Sequence, residues 1–101
     1  MTDGDIFEFD WDEGNRAHCR KHGVSIMEIE MLFRSPTLAI RPDLKHSAAE
    51  KRFLAIGRNH KGRPIFLAFT LRERGGLTCI RPVSARYMHQ EEIEYYEEEN
   101  S

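Results

Sequence analysis

The first quarter of the chain contains short apolar runs separated by polar residues that can cap a helix. This pattern predicts a strand followed by a helix. Residues 6–9 alternate between two faces, as in a strand. Asp12 is a suitable N-cap for a helix over residues 13–22. Gly23 fits the position that follows the last helical residue. The stripe of this helix that is predicted to be buried is unusually polar and consists of Asn15, His18, Cys19 and His22.

A second helix is predicted to begin directly after this glycine. Ser25 and Glu28 have the spacing of a capping box, in which each side chain satisfies the free backbone N–H of the other residue. The helix is predicted to end at residues 35–36. Lys21 and His22 therefore lie at a helix C-terminus, in a sharp corner between two helices. The apolar stripe of the second helix consists of Ile26, Ile29, Leu32 and Phe33.

The remainder of the chain has the pattern of a sheet followed by a final helix. Because tight glycine-bearing turns join three consecutive strands, the pattern indicates an antiparallel meander. The sequence therefore predicts an α+β fold, in which two N-terminal helices and one C-terminal helix pack on one face of an antiparallel sheet. Strands are predicted over residues 37–40, 52–58, 64–71 and 77–84, with a loop over 41–48, turns over 59–62 and 72–76, and a helix over 88–98.

Length and composition predict a single domain over residues 1–101, since 101 residues leave no room for a second hydrophobic core. No apolar run approaches the ~20 residues of a membrane span. The first residues are acidic and lack the pattern of a secretory signal, so a cytoplasmic location is expected. Cys19 and Cys79 are far apart in regular segments, and two buried thiols are expected rather than a disulfide.

Charge is segregated along the chain. Residues 1–13 contain six acids and residues 91–99 contain six more, with no Lys or Arg in either segment. Residues 14–90 carry all 15 Lys and Arg against five acids, a net charge of +10. A cationic body between acidic ends is typical of a surface that binds a polyanion such as nucleic acid. The alternative is that the acidic ends fold back and neutralise this body.

Two charged positions stand out in the predicted sheet. Arg81 shares its face of the last strand with Cys79 and Val83, and an arginine in such a place usually meets an anion or a carboxylate. Glu50 lies among cations and has two interpretations. It forms a structural ion pair with Arg52 or Arg81, or it is a general base whose pKa those cations tune.

A cluster of Lys, His, Glu and Arg suits the metal-free cleavage of RNA, in which the ribose 2′-OH attacks the adjacent phosphorus. This reaction needs a base, cations on the phosphate oxygens and an acid at the leaving oxygen. The His18-Cys19-x-x-His22 spacing resembles a zinc site, but no second ligand cluster is evident. No phosphate-binding glycine motif occurs either. No metal and no cofactor are therefore predicted.

Four segments together resemble the BrnT family of bacterial type II toxins, which are small ribonucleases with a RelE-like fold. The corner motif and the last segment are specific in combination. The segments are Phe9-Asp10-Trp11-Asp12, Lys21-His22-Gly23-Val24-Ser25, Glu50-Lys51-Arg52-Phe53 with Ile56-Gly57, and Ile80-Arg81-Pro82-Val83-Ser84-Ala85-Arg86.

The resemblance implies a toxin that cleaves mRNA and arrests translation, and a cognate BrnA-like antitoxin that neutralises it. Operator DNA is expected to be contacted only through that antitoxin, and a homodimer within the complex is one option. Further RNA contacts are expected from Arg58 and Arg72. The implied active-site set consists of Lys21, His22, Glu50, Arg52, Arg81 and Arg86.

Roles within that set stay open. Glu50 or His22 is the base, Lys21, Arg52 and Arg81 hold the phosphate, and Arg86 or His22 assists the leaving group. Many family members continue into a basic helix, whereas residues 87–92 begin an acidic one here. This helix is an antitoxin contact or a cover for the sheet, or the chain is a weak nuclease. The rival functions are a non-catalytic antitoxin-binding module that acts only in transcriptional autoregulation, and a plain structural domain.

Overall fold

The computed structural model describes residues 8–99, which form a four-stranded antiparallel sheet in the order β1-β2-β3-β4 with three helices. The predicted α+β class is confirmed, with two helices before the sheet and one after it. The elements are α1 (Glu13–Arg20), α2 (Ile26–Leu32), β1 (Ala39–Pro42), a 3-10 turn (Leu44–His46), β2 (Phe53–Arg58), β3 (Pro64–Arg74), β4 (Leu77–Tyr87) and α3 (Gln90–Glu99).

The second and third meander strands, β3 and β4, extend further than the sequence pattern indicated. Residues 72–74 belong to β3 rather than to a turn, and the connection to β4 consists of Gly75 and Gly76. Both glycines have positive φ, at 57° and 84°, as a two-residue hairpin turn requires. The charged residues at the end of β3 made this segment look like a loop. β1 lies two residues later than predicted.

The first half of the predicted strand over residues 6–9 lies outside the described residues. Phe9 forms an isolated parallel bridge with Ile80 of β4. The Ile80 N–H donates to the Glu8 carbonyl at 2.9 Å, and the Asp10 N–H donates to the Ile80 carbonyl at 2.8 Å. This short segment therefore lies along the free edge of β4.

Helices cover both faces of the sheet, so the expectation that all of them pack on one face is wrong. On the first face, Ala55 and Leu67 pack with buried residues of α1 and α2. On the second face, Ile56 packs against Ile93 of α3 and against Met88. Successive strand residues point to opposite faces, and β2 carries apolar residues on both of them. The second face therefore needs a cover of its own, which α3 supplies.

The buried stripe of α1 is only half of the predicted one. Asn15 and Cys19 are buried, whereas His18 and His22 are exposed. The helix ends at Arg20, two residues earlier than expected. Lys21 and His22 therefore lie in the corner between α1 and α2 and not in the helix. Both cysteines are free and buried, as predicted. The capping box at the start of α2 is confirmed, and the chain turns into α2 through a glycine with φ of 90°.

Asn15 is a buried polar residue that joins three segments. Its Nδ2 donates to the backbone carbonyls of Asp10 and Pro82, at 2.9 Å each. Its Oδ1 accepts from the Asp12 N–H at 2.7 Å. β4 contains one extra residue, Val83, opposite the step from Ala68 to Phe69 in β3. This bulge lies directly beside the Pro82 carbonyl, so Asn15 couples the start of α1 to the bulge.

We expect Asn15→Ala to lower the free energy of unfolding by about 2 kcal/mol, because two carbonyl oxygens lose their donors in a buried site. Asn15→Asp should cost more at neutral pH, since a carboxylate would face those same two oxygens. Chemical denaturation at several pH values measures this, and the aspartate variant should recover part of the loss on acidification. His18→Ala, on the exposed side of the same helix, serves as the control. Equal stability of the two Asn15 variants at neutral pH would contradict this account.

Candidate functional site

Arg81 lies on the second face and is held by two carboxylates from the start of the chain. Its Nη2 donates to Asp12 Oδ2 at 2.8 Å, and its Nη1 donates to Asp10 Oδ2 at 3.4 Å. Arg74 also donates to Asp10, at 3.1 Å. The backbone N–H of Asn15 and then the Arg81 guanidinium lower the pKa of Asp12. The anion expected beside Arg81 is thus supplied by the chain itself.

Glu50 forms its ion pair with Arg72, and with neither Arg52 nor Arg81. Arg72 and Arg81 share the second face, since they lie opposite Cys79 and Thr70, two positions apart in the β3–β4 ladder. The pair is exposed on both sides. Glu50 therefore has a structural partner, although a different one from those expected.

The other arginines of the second face pair with acids of α3. Arg86 donates to Glu92 at 3.0 and 3.1 Å, and its guanidinium lies 4.6 Å from the centre of the Phe66 ring. Arg58 donates to Glu97 at 2.8 and 3.1 Å. The Arg86 hydrogen bond lowers the pKa of Glu92 to about 2. On this face the alternative interpretation of the charge pattern holds, because acids from both ends of the chain neutralise the arginines.

Lys21 and His22 lie apart from this group, in the corner between α1 and α2. Both are exposed, and neither side chain has a hydrogen-bond or ion-pair partner among residues 8–99. The corner is on the first-face side, where Tyr87 Oη lies 3.4 Å from the Gly23 carbonyl oxygen. The structure therefore divides the predicted set into two groups and does not bring Lys21 or His22 into contact with Glu50.

The carboxylate nearest to the corner is one that sequence reasoning used only as a helix cap. Glu28 accepts from Tyr87 Oη at 2.8 and 2.9 Å, from Asn59 Nδ2 at 2.8 Å and from the Ser25 N–H at 3.0 Å. Burial opposes its ionisation, but the hydrogen bonds from Ser25, Asn59 and Tyr87 outweigh burial and lower the pKa of Glu28 to about 2. Glu28 is therefore a fixed negative charge.

Tyr87 connects the corner to a cleft of about 810 Å³ between α2 and the turn that joins β2 to β3. The Arg63 guanidinium lies 3.5 Å from the centre of the Tyr87 ring, at cation–π distance. These contacts join residues that are far apart in the sequence, so no local pattern could reveal them. Three cations and one histidine line the cleft and have no carboxylate partner within residues 8–99, namely Arg34, Lys61 and Arg63 with His60.

The described residues offer no metal site. No group of three or more His, Cys, Asp or Glu side chains within residues 8–99 could hold a metal ion. In the zinc-like spacing of α1, Cys19 is buried in the core while His18 and His22 point to solvent. No helix in this part of the chain is long and apolar enough to cross a membrane.

Most of the chain matches the model of a known protein family. Residues 11–92 match a family model described as the ribonuclease toxin BrnT of type II toxin–antitoxin systems. The match includes the helical corner, the whole sheet and the cleft, and it ends within the first turn of α3. No curated protein matches the chain.

We expect Glu28→Gln to destabilise the protein at neutral pH by roughly 2 kcal/mol, after allowance for partial solvent screening. A carboxylate whose folded pKa is lowered contributes stability above its ordinary pKa of 4.5, and that stability is lost as the pH falls toward about 2. The difference between the two proteins should therefore disappear in acid. Thermal unfolding between pH 2 and 7 measures it, with exposed Glu91→Gln as the control. A difference that does not depend on pH would contradict the assignment.

Proposed function

Since this chain belongs to the BrnT family of ribonuclease toxins of type II toxin–antitoxin systems, we propose that it cleaves mRNA without a metal ion. We further propose that a cognate BrnA-like antitoxin neutralises it and alone contacts operator DNA. One observation carries the choice of site. Lys21 of the corner and Arg34, Lys61 and Arg63 of the cleft have no acid partner among the described residues, whereas Arg58, Arg72, Arg81 and Arg86 are paired with carboxylates.

A phosphodiester needs cations that are free to meet it. Lys21 and His22 are exposed in the corner, and Arg63 lies over the ring of the tyrosine whose hydroxyl approaches that corner. Arg81 and Arg86 would have to leave their carboxylates before they could bind phosphate, and each separation has a cost. We therefore propose that the scissile phosphate binds between Lys21 and Arg63.

His22 then transfers the proton. Imidazole is the side chain best able to accept and donate a proton near neutral pH. In this scheme His22 accepts the proton of the ribose 2′-OH, and the 2′ oxygen attacks phosphorus. The bond from phosphorus to the 5′ oxygen breaks, the protonated His22 returns its proton to the 5′ oxygen, and a 2′,3′-cyclic phosphate forms. Lys21 and Arg63 stabilise the charge that develops on the phosphate oxygens.

Glu28 is a positioning residue in this scheme. Its low pKa makes it a weak base, but it fixes the Tyr87 hydroxyl and the Asn59 amide. Tyr87 in turn supports Arg63. The roles first considered for Glu50, Arg52, Arg81 and Arg86 stay predictions.

A second candidate function is a non-catalytic antitoxin-binding module. The observation in its favour is the acidic helix α3, whose Glu92 and Glu97 neutralise Arg86 and Arg58. A chain of this kind would bind its antitoxin and regulate transcription without cutting RNA. It would neither arrest growth on induction nor leave cleaved mRNA.

We expect the purified chain to cut single-stranded RNA in the presence of EDTA and to leave a 2′,3′-cyclic phosphate. His22→Ala should lower the rate by about 10² or more, as for the loss of an acid–base group. His18→Ala, which changes an exposed histidine one turn earlier, should cut at the normal rate. Gel analysis of end-labelled RNA measures all three proteins. Full activity in His22→Ala would reject this site, and an inactive wild type that fails to arrest growth would favour the binding module.

Arg81→Ala tests the second face as the competing location. We expect it to lower the free energy of unfolding by about 1 kcal/mol, since Asp10 and Asp12 lose their shared partner. Cleavage per folded molecule should survive. The matched control is Arg20→Ala, an exposed arginine on α1. A variant that melts normally but no longer cuts RNA would move the reaction to the second face.

A further inference from the structure

Helix α2 presents an uncovered apolar stripe to the cleft. Met27 is 75% exposed and Met31 is 55% exposed, and both line the cleft. They lie four residues apart, so their side chains are neighbours on one side of the helix. The opposite side of α2 is buried in the core through Ile29 and Leu32. The stripe is therefore outside the fold's own core.

Unpaired cations surround this stripe. Arg34 follows α2 at one end of the cleft, and His60, Lys61 and Arg63 approach it from the turn between β2 and β3. None of the four has a carboxylate partner among the residues that the structure describes. An apolar floor with a cationic rim is complementary to a segment that carries both apolar and acidic side chains.

We propose that this cleft is the docking surface for an acidic amphipathic segment of the antitoxin. The proposal rests on the proposed function, which supplies the antitoxin. Methionine pairs at this spacing suit an apolar face of a partner segment, because their flexible side chains adapt to the groups they meet. RNA bases bind by stacking on aromatic rings, but the Tyr87 ring that lines the cleft already carries the Arg63 guanidinium, and Met27 and Met31 offer no ring.

Occupation of the cleft would also explain how the antitoxin inhibits the toxin. Glu28 and Tyr87 line the cleft and also border the corner that holds Lys21 and His22. An acidic side chain in the cleft would meet Arg63, which is one of the two cations assigned to the scissile phosphate. The antitoxin would therefore compete with RNA for the same charge rather than distort the toxin.

The test uses the full chain and its cognate BrnA-like antitoxin, mixed as purified proteins. We expect Met31→Glu to weaken binding by about tenfold or more, because it places an acid on the apolar floor that the partner's apolar face must cover. Leu77→Glu is the matched control, since Leu77 is 57% exposed at the far turn between β3 and β4. It should bind the antitoxin normally. Both changes are on exposed side chains, and thermal melting confirms that each variant is folded.

Two charge-reversal variants, one on the cationic rim of the cleft and one away from it, test the role of the rim. Lys61→Glu should weaken antitoxin binding by about tenfold, whereas Lys45→Glu, on the exposed turn after β1, should leave it unchanged. Normal antitoxin affinity in both Met31→Glu and Lys61→Glu would overturn the proposal. Loss of affinity for a single-stranded RNA oligonucleotide with normal antitoxin affinity would also overturn it and would assign the cleft to RNA.

Failure of this proposal and failure of the proposed function are distinguishable. Antitoxin affinity is measured by titration and does not depend on catalysis. A chain that binds antitoxin through the cleft but never cuts RNA would support the docking surface and reject the ribonuclease.

Discussion

The rest of the structure depends on the hydrogen bonds that a single buried amide makes at the start of α1. Asn15 binds the carbonyl oxygens of Asp10 and Pro82 at once, and so fixes the first described segment, the helix and the bulge of β4 relative to one another. Because that bulge redirects the strand, it also determines where Tyr87 emerges. The direction of α1 in turn sets the position of Lys21 and His22, so the candidate site is a consequence of this junction.

Electrostatics then divides the molecule into two sides of different character. Acids from both ends of the chain meet the arginines of the second face, at 2.7 Å for Arg41 with Glu99 and 2.8 Å for Arg81 with Asp12. These pairs are partly exposed, so each contributes little to stability by itself. Their effect is instead to determine which cations keep no carboxylate partner. Among the cations that they leave without a carboxylate partner in the described residues are Lys21 of the corner and Arg34, Lys61 and Arg63 of the cleft, where an anion would be attracted.

Local signals were sufficient for most of the fold. The caps at Asp12 and Ser25, the hairpin glycines and the strand alternation each act over a few residues, and these elements were predicted from sequence within a few positions. The charged end of β3 has the local pattern of a turn, because its pairing with β4 is decided by the sheet and not by residues 72–74. The apolar residues on both faces of β2 indicate that each face needs a cover, which α3 supplies on the second face.

The candidate site was harder to predict because its contacts span long stretches of chain. Glu28 meets Asn59 and Tyr87 across 31 and 59 residues, and its role as a helix cap already accounted for it locally. Arg81 was singled out correctly as an arginine that needs an anion, but the sequence could not tell an internal carboxylate from a phosphate. The resemblance supplied the family, which the match to residues 11–92 shows, and the geometry separated the predicted residues into two groups.

The borders of the sheet restrict how another chain can join it. β1 is only four residues long and ends at Pro42, which has no N–H to offer a new strand. At the other border, the backbone of Glu8 and Asp10 already occupies the hydrogen-bonding groups of Ile80. Extension of the sheet by strand addition is therefore disfavoured on both sides, and a partner has to engage side chains on the helices and turns instead.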